Sequence, residues 1–219
     1  MKEIKVNMTN KFKLLCEEPI RTKNDILYLL LESILLLTYG EKVNTLQENY
    51  LILRIDKMKR LFFVLNNKIF SFYFPFSVIE DPVDRSFKVF DQNTRLMLEA
   101  KDLLLLKTII SNVFDEEKQQ AIGIQDFESE ILILMKELEI DENQDIVWNI
   151  IKKLLKFEVG YLRYDYDEKN ANGELHPLNH LDINYLSNTT FKIGLDKSLD
   201  NNEFVDLLDL NTNCYFIKR

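Results

Sequence analysis

The residues of this chain that could do chemistry lie close together in its last third. The two histidines, His176 and His180, are the only ones in the sequence. Segments 161–167, 180–185 and 190–195 alternate apolar and polar residues, as do strands whose successive side chains point to opposite faces. An antiparallel meander of these strands would present one polar face, made of Arg163, Asp165, Asp167, His180, Asp182, Asn184, Thr190 and Lys192.

Three kinds of function fit this polar face. The two histidines with Asp165, Asp167 or Asp182 could form a mixed nitrogen and oxygen metal site that activates water. Alternatively, the histidines could act as general acid and base on a phosphodiester, with Arg163 or Lys192 stabilising the developing negative charge. The face could instead bind a partner or a nucleotide. The sequence leaves these alternatives open and identifies no particular metal or cofactor.

A purely structural explanation competes with all three. The open face of an antiparallel sheet is normally polar, and a pair such as Arg163 and Asp165 is common on protein surfaces. The sequence contains no glycine-rich phosphate loop, nucleophile elbow, CxxC pair or HExxH motif. Whether the chain is an enzyme therefore stays open.

The segment from His176 to His180 admits two local geometries. Pro177 suits the first turn of a helix, where its missing N–H costs nothing, and one helical turn brings residues four apart to one side. In an extended segment the two histidines also share a face, because their separation is even. In both geometries we expect the two imidazole rings to face one site.

The elements that position these residues are predicted to form an α+β fold, with an N-terminal antiparallel meander, central helices and a C-terminal antiparallel meander. Runs rich in β-branched and aromatic residues predict a three-stranded N-terminal meander at 50–55, 61–65 and 69–74, with Asn66-Asn67 as a hairpin turn. Pro75 and Pro82 mark a loop, after which residues 86–90 are expected to add a fourth strand. Helices are expected at 93–114, 126–138, 141–157 and 200–209.

The chain is long enough for one domain over residues 1–219, with lobes 1–92 and 93–219 as the alternative division. Residues 24–39 are predicted to form a helix that ends before Gly40. Apolar side chains cover nearly all sides of this helix, so we expect protein to surround it. It is either part of the core or a docking element for a partner.

Charge and composition restrict the partners. The formal net charge of −8 argues against broad capture of nucleic acid, because phosphate binding depends on clustered lysines and arginines. The two cysteines, Cys16 and Cys214, lie far apart without metal-type spacing, as is typical of a reducing cytoplasm. The most hydrophobic stretch, 26–37, is shorter than the roughly 20 apolar residues that span a bilayer. We expect a cytoplasmic protein without membrane attachment.

The C-terminal motifs carry a family resemblance. The run from Tyr161 to Asp167 reads YLRYDYD, and it is followed by HPLNHLD from His176 and by TFKIGL from Thr190. This pattern resembles the C-terminal signature of a family of uncharacterised bacterial proteins, a domain of unknown function often encoded beside restriction and phage-defence genes. The resemblance covers about 40 residues. It implies a component of a bacterial immune operon and no particular reaction.

We therefore expect a subunit of an anti-phage defence complex that acts through protein partners from the same operon, such as an ATPase or a nuclease. Nucleic acid would then be reached through the partner. The alternative is a nuclease or nucleotide hydrolase that uses the two histidines with nearby carboxylates. The candidate site residues are His176, His180, Arg163, Asp165, Asp167 and Lys192.

Overall fold

The computed structural model describes residues 3–40, 45–83, 85–113, 127–137, 144–186, 188 and 190–215. Strands and helices are mixed along this part of the chain, which confirms the predicted α+β class. The strands are β1 (Glu3–Asn7), β2 (Tyr50–Arg54), β3 (Arg60–Leu65), β4 (Lys68–Tyr73), β5 (Ser77–Glu80), β6 (Phe87–Phe90), β7 (Leu162–Tyr166), β8 (Asn179–Ile183) and β9 (Phe191–Gly194). The helices are α1 (Asn10–Glu17), α2 (Lys23–Tyr39), α3 (Ala100–Val113), α4 (Phe127–Glu137), α5 (Gln144–Lys156) and α6 (Asn201–Asp206).

The chain forms two compact units, each discontinuous in sequence. The first contains Met1–Thr22, Gly40–Phe74 and Glu158–Arg219, and the second contains Lys23–Tyr39 and Pro75–Phe157. The first unit draws on both ends of the chain because strands from both ends join one sheet. The sequence predicts one domain over residues 1–219, with lobes 1–92 and 93–219 as the alternative division.

A seven-stranded antiparallel sheet organises the first unit. Its order is β1-β2-β3-β4-β7-β8-β9. The predicted N-terminal meander corresponds to β2, β3 and β4, and the C-terminal meander to β7, β8 and β9. Antiparallel pairing of β4 with β7 joins the two meanders and places Lys68 opposite Asp165 and Ile69 opposite Tyr164. The two predicted meanders are therefore parts of one sheet, which β1 extends beside β2.

The two faces of this sheet are covered differently. One face packs against α6 through a continuous apolar cluster made of Ile52, Met58, Phe62, Val64, Ile69, Tyr164, Leu181 and Phe204. On the other face, Phe12 of α1 stacks on Phe63 of β3, and Phe63 stacks on Phe70 of β4 with 4.4 Å between ring centroids. Apart from Lys68 at the start of β4, the second face is thus apolar over β3 and β4, and it becomes polar where the C-terminal strands begin.

The predicted helix at 24–39 corresponds to α2 in the second unit, where it packs against α3 and β6. Its buried residues are Ile26, Leu27, Leu29, Leu30, Leu31, Ser33, Ile34, Leu36 and Leu37. This burial favours the core alternative over the docking element. No helix in the described part of the chain is both long and apolar enough to cross a membrane.

Two boundaries in the second unit differ from the prediction. The segment with Pro75 and Pro82, expected as a loop, contains β5, which pairs with β6 in a separate two-stranded sheet. Helix α3 begins at Ala100 rather than at residue 93, because Asp91 Oδ2 accepts hydrogen bonds from the backbone of Asn93 and Thr94 and holds them in a turn. The predicted ends of the helices at 126–138 and 141–157 lie partly outside the described residues.

Replacement of Phe204 by alanine should lower the free energy of unfolding by about 3–5 kcal/mol. The Phe204 ring is fully buried and meets the Phe62 ring edge to face at 6.3 Å. Phe191→Ala is the matched control, because the Phe191 side chain is 68% exposed and its loss should cost less than about 1 kcal/mol. Urea unfolding of both variants measures the difference, and equal losses would contradict the assigned core.

Candidate functional site

Strands β7, β8 and β9 align the polar side chains as the alternation predicted. Arg163 pairs with Asp182, Asp165 with His180, and Asp182 with Lys192 across neighbouring strands. The alternate residues of the same strands, such as Tyr164 and Leu181, enter the apolar cluster beneath α6. The apolar cluster thus fixes which side chains line the polar face.

Arg163 joins two carboxylates at the centre of the face. Its Nε donates to Asp165 Oδ2 at 2.7 Å, and its Nη2 donates to Asp182 Oδ2. Burial lowers the pKa of Arg163, but the neighbouring Tyr161, Asp165 and Asp182 outweigh it, so the pKa lies above its ordinary value. The sequence suggested a surface pair between Arg163 and Asp165, whereas the structure shows a partly buried three-residue network.

The centre of the face is buried, contrary to the expectation of an open polar surface. The side chain of Asp182 is only 4% exposed, and its Oδ1 accepts no hydrogen bond from any residue that the structure describes. The Nζ of Lys192 lies 3.7 Å from this oxygen, and the Lys192 side chain is 39% exposed. These residues are therefore not an ordinary solvated face of a sheet.

His180 is buried and held in one tautomer. Its Nδ1 lies 2.8 Å from the carbonyl oxygen of Pro177. A carbonyl can only accept, so Nδ1 carries a proton, and in the neutral ring Nε2 has the lone pair. That Nε2 lies 3.4 Å from Lys192 Nζ and 3.6 Å from Asp165 Oδ2. The lone pair on His180 Nε2 thus faces the charged side chains of Lys192 and Asp165.

His176 forms a second, more accessible pair at the rim. Its Nε2 lies 3.1 Å from Asp167 Oδ2, and its side chain is 27% exposed. Hydrogen bonds from Asn170 are the main cause that keeps the pKa of Asp167 below its ordinary value, and His176 adds to this effect. The rings of His176 and His180 meet edge to face, with 4.8 Å between centroids. The sequence predicts that the two imidazoles face one site, and the structure places their rings side by side.

A tight loop brings the two histidines together. Asn172 and His176 form an isolated bridge, and Gly173 between them has a φ of +53°, which glycine adopts readily. The chain then runs without a helical turn into β8, so the extended alternative applies. Pro177 lies against Gly194, where an added Cβ would come within 2.9 Å of Pro177 Cγ. Gly194 therefore permits the close approach of the loop to the sheet.

Lys68 also belongs to this region, although the sequence did not indicate it. Its Nζ donates to the carbonyl oxygens of Cys16 and Glu18 at the C-terminal end of α1. Burial is the main cause that lowers its pKa to about 8, and the charge of Arg163 contributes. Lys68 reaches the site through the pairing of β4 with β7, and no local pattern in the sequence reports that pairing.

The predicted residues divide into two connected groups. Arg163, Asp165, His180 and Lys192 form the inner group together with Asp182, and His176 with Asp167 forms the outer pair. Three residues, Asp165, His180 and Asp182, each offer one ligand atom. These three atoms lie within 4.8 Å of one another, which is close enough to hold one metal ion. Neither His176 nor Asp167 belongs to that set, so a metal site with both histidines is not what the structure favours.

Comparisons with known proteins add no assignment. No protein-family model, curated protein or solved structure matches the chain. The resemblance of its C-terminal motifs to a defence-associated bacterial family therefore stays a prediction.

The lowered pKa of Lys68 predicts a specific dependence of stability on pH. Between about pH 8 and 10.5 the unfolded chain binds more protons at this residue than the folded protein, so the contribution of Lys68 to stability rises with pH in that window. Lys68→Met should remove this rise, whereas Lys57→Met, at an exposed lysine, should retain it. Urea unfolding across the window tests this, and an unchanged pH slope in Lys68→Met would contradict the prediction.

Proposed function

We propose that this polar face is the acid–base site of a hydrolase that acts on phosphate esters of nucleotides or nucleic acid. One observation carries the proposal. Two imidazoles touch, and each has one nitrogen engaged by a different acceptor, Asp167 for His176 and the Pro177 carbonyl for His180. In the neutral rings the remaining nitrogens carry lone pairs, which is the state that general-base catalysis requires.

His176 is the better placed base because substrate can reach it. Its side chain is 27% exposed, whereas that of His180 is 1% exposed. Asp167 accepts from Nε2, orients the ring and would stabilise the imidazolium formed when Nδ1 takes a proton from water. The attacking water then forms the new P–O bond while the bond to the leaving oxygen breaks, and the leaving oxygen takes the proton from the His176 imidazolium.

Lys192 is the cation that could meet a phosphate. It is the most exposed charged member of the inner group, and its Nζ lies beside His180 Nε2. A cation in a partly dry site stabilises negative charge on phosphoryl oxygens more than it would in water. Arg163 is already engaged by two carboxylates, so we assign it to positioning Asp165 and Asp182.

Substitution of His176 tests the proposed base. His176→Ala should lower hydrolysis about 10²- to 10⁴-fold, the range found for loss of a general base. Leu178→Ala is the matched control in the same loop, because Leu178 is partly exposed and carries no polar group. The assay uses a chromogenic phosphodiester, nucleoside triphosphates and short single-stranded DNA and RNA.

The outcomes of this assay separate clearly. Loss of activity in His176→Ala with retention in Leu178→Ala supports the proposal, provided that circular dichroism shows both variants folded. Equal activity of His176→Ala and the wild-type protein would remove His176 as the base. Failure of the wild-type protein to turn over any of the substrates would remove the hydrolase proposal.

A second proposal, compatible with the first, is that the chain is a subunit of an anti-phage defence complex with a protein partner from the same operon. The specific observation is the outer strand of the sheet. β9 is an edge strand, and Phe191 lies opposite Ile183 with side chains 68% and 38% exposed. Exposed apolar residues on an edge strand are typical of surfaces that other proteins cover.

This second proposal predicts an effect of Phe191 on assembly. Phe191→Ser should weaken co-purification with the products of neighbouring genes by tenfold or more, since central aromatic residues dominate interfaces and cost about 2 kcal/mol or more when lost. Val83→Ser, at another highly exposed apolar residue, is the control and should leave co-purification unchanged. A monomeric wild-type protein in the presence of all its gene neighbours would contradict the proposal.

A further inference from the structure

We infer that Asp165, His180 and Asp182 bind one divalent transition-metal ion, of the class of zinc or manganese. This inference deepens the proposed hydrolase and rests on it for its purpose, since the ion would supply a Lewis acid beside His176. The metal binding itself can be measured without any substrate. The two hypotheses can therefore fail separately.

The positions of the three ligand atoms suit a single ion. They lie within 4.8 Å of one another, and His180 Nε2 is 3.6 Å from Asp165 Oδ2. Ligands of a tetrahedral ion with bonds of about 2.1 Å lie about 3.4 Å apart, so movements of about an ångström would complete the site. Asp165 and His180 face each other on adjacent strands, so their backbones are held by the sheet.

The second observation is a buried carboxylate oxygen without a donor. Asp182 Oδ1 is inaccessible and accepts no hydrogen bond from any residue in the described segments, while Oδ2 of the same carboxylate accepts from Arg163. A buried polar atom left unsatisfied costs about 1–3 kcal/mol, and more when it is charged. A cation bound at Oδ1 would remove this cost.

His180 has the orientation that metal-binding histidines have. Ligating imidazoles usually donate their other ring N–H to a carbonyl or carboxylate, which fixes the tautomer and directs the lone pair to the metal. His180 Nδ1 meets this condition through the Pro177 carbonyl oxygen at 2.8 Å. The imidazole nitrogen also selects against magnesium and calcium, which prefer all-oxygen sites.

Lys192 marks the position of the ion. Its Nζ lies 3.4 Å from His180 Nε2 and 3.7 Å from Asp182 Oδ1, both longer than the roughly 2.7–2.9 Å of a strong charge-assisted hydrogen bond. Its side chain is 39% exposed, so its ammonium can move outward when a metal binds and still meet a phosphate there. If a divalent metal ion takes the place of the Lys192 ammonium, the inner group carries a net positive charge. That charge favours the binding of an anionic phosphate.

Calorimetric titration with zinc chloride and with manganese chloride tests the inference. All proteins carry Cys214→Ser, because the exposed Cys214 thiol could bind zinc by itself. We expect one ion per chain in the wild-type background. Lys192→Met should tighten binding on the order of tenfold by removing the competing ammonium, and Asp182→Asn should weaken it by about tenfold or more. Asp196→Asn, at an exposed aspartate, is the control and should bind as the wild type does.

Several results would overturn the inference. One is the absence of stoichiometric binding of either metal to the wild type and to Lys192→Met. Another is an unchanged affinity in Lys192→Met, which substitutes a partly exposed residue and should fold normally. Binding of metal without phosphate-ester turnover leaves the site intact and removes the proposed function. Turnover by protein that elemental analysis shows to be metal-free, in the presence of EDTA, retains the function and removes the proposed role of the ion in it.

Discussion

The pairing of β4 with β7 is the contact on which the remaining structure depends. It joins strands from distant parts of the chain and sets Ile69 opposite Tyr164, so that the apolar side chains of both meanders meet beneath α6. Because side chains alternate along a strand, a slip of one residue would move Arg163 and Asp165 into the apolar cluster. The cost of burying these charges without partners enforces the register, and the register creates the polar face.

The inner charged group is not explained by stability. Loss of one partner from a buried ion pair costs about 3–5 kcal/mol, but replacement of a whole pair by apolar residues is often neutral or stabilising. The Arg163, Asp165 and Asp182 network is built from such pairs in a region where Phe63 and Phe70 show that apolar packing is available on the same face. A requirement for charge at this position, such as catalysis or ion binding, is the more direct explanation.

The sequence predicted those features that depend on local patterns. Alternation in residues 161–195 identified the three C-terminal strands and assigned Arg163, Asp165, His180 and Lys192 to one face. Features set by distant contacts were missed, because periodicity carries no information on which strands pair or what covers them. Thus the sequence did not indicate Lys68. The polar face was expected to be open, although Asp182 is buried. Helix α3 begins later than predicted because of a side-chain contact of Asp91, which helix propensities do not include.

The contact between Pro177 and Gly194 has a consequence for how this site can vary. Pro177 supplies the carbonyl that orients His180, and it rests on the sheet where any side chain larger than hydrogen would collide with it. Gly194, which has no side chain, therefore determines how closely the segment that carries both imidazoles approaches the strands. Among close relatives with the same architecture, position 194 should tolerate less substitution than the exposed charged positions around it. Substitution of Gly194 would disable the site although the chain kept every reactive side chain.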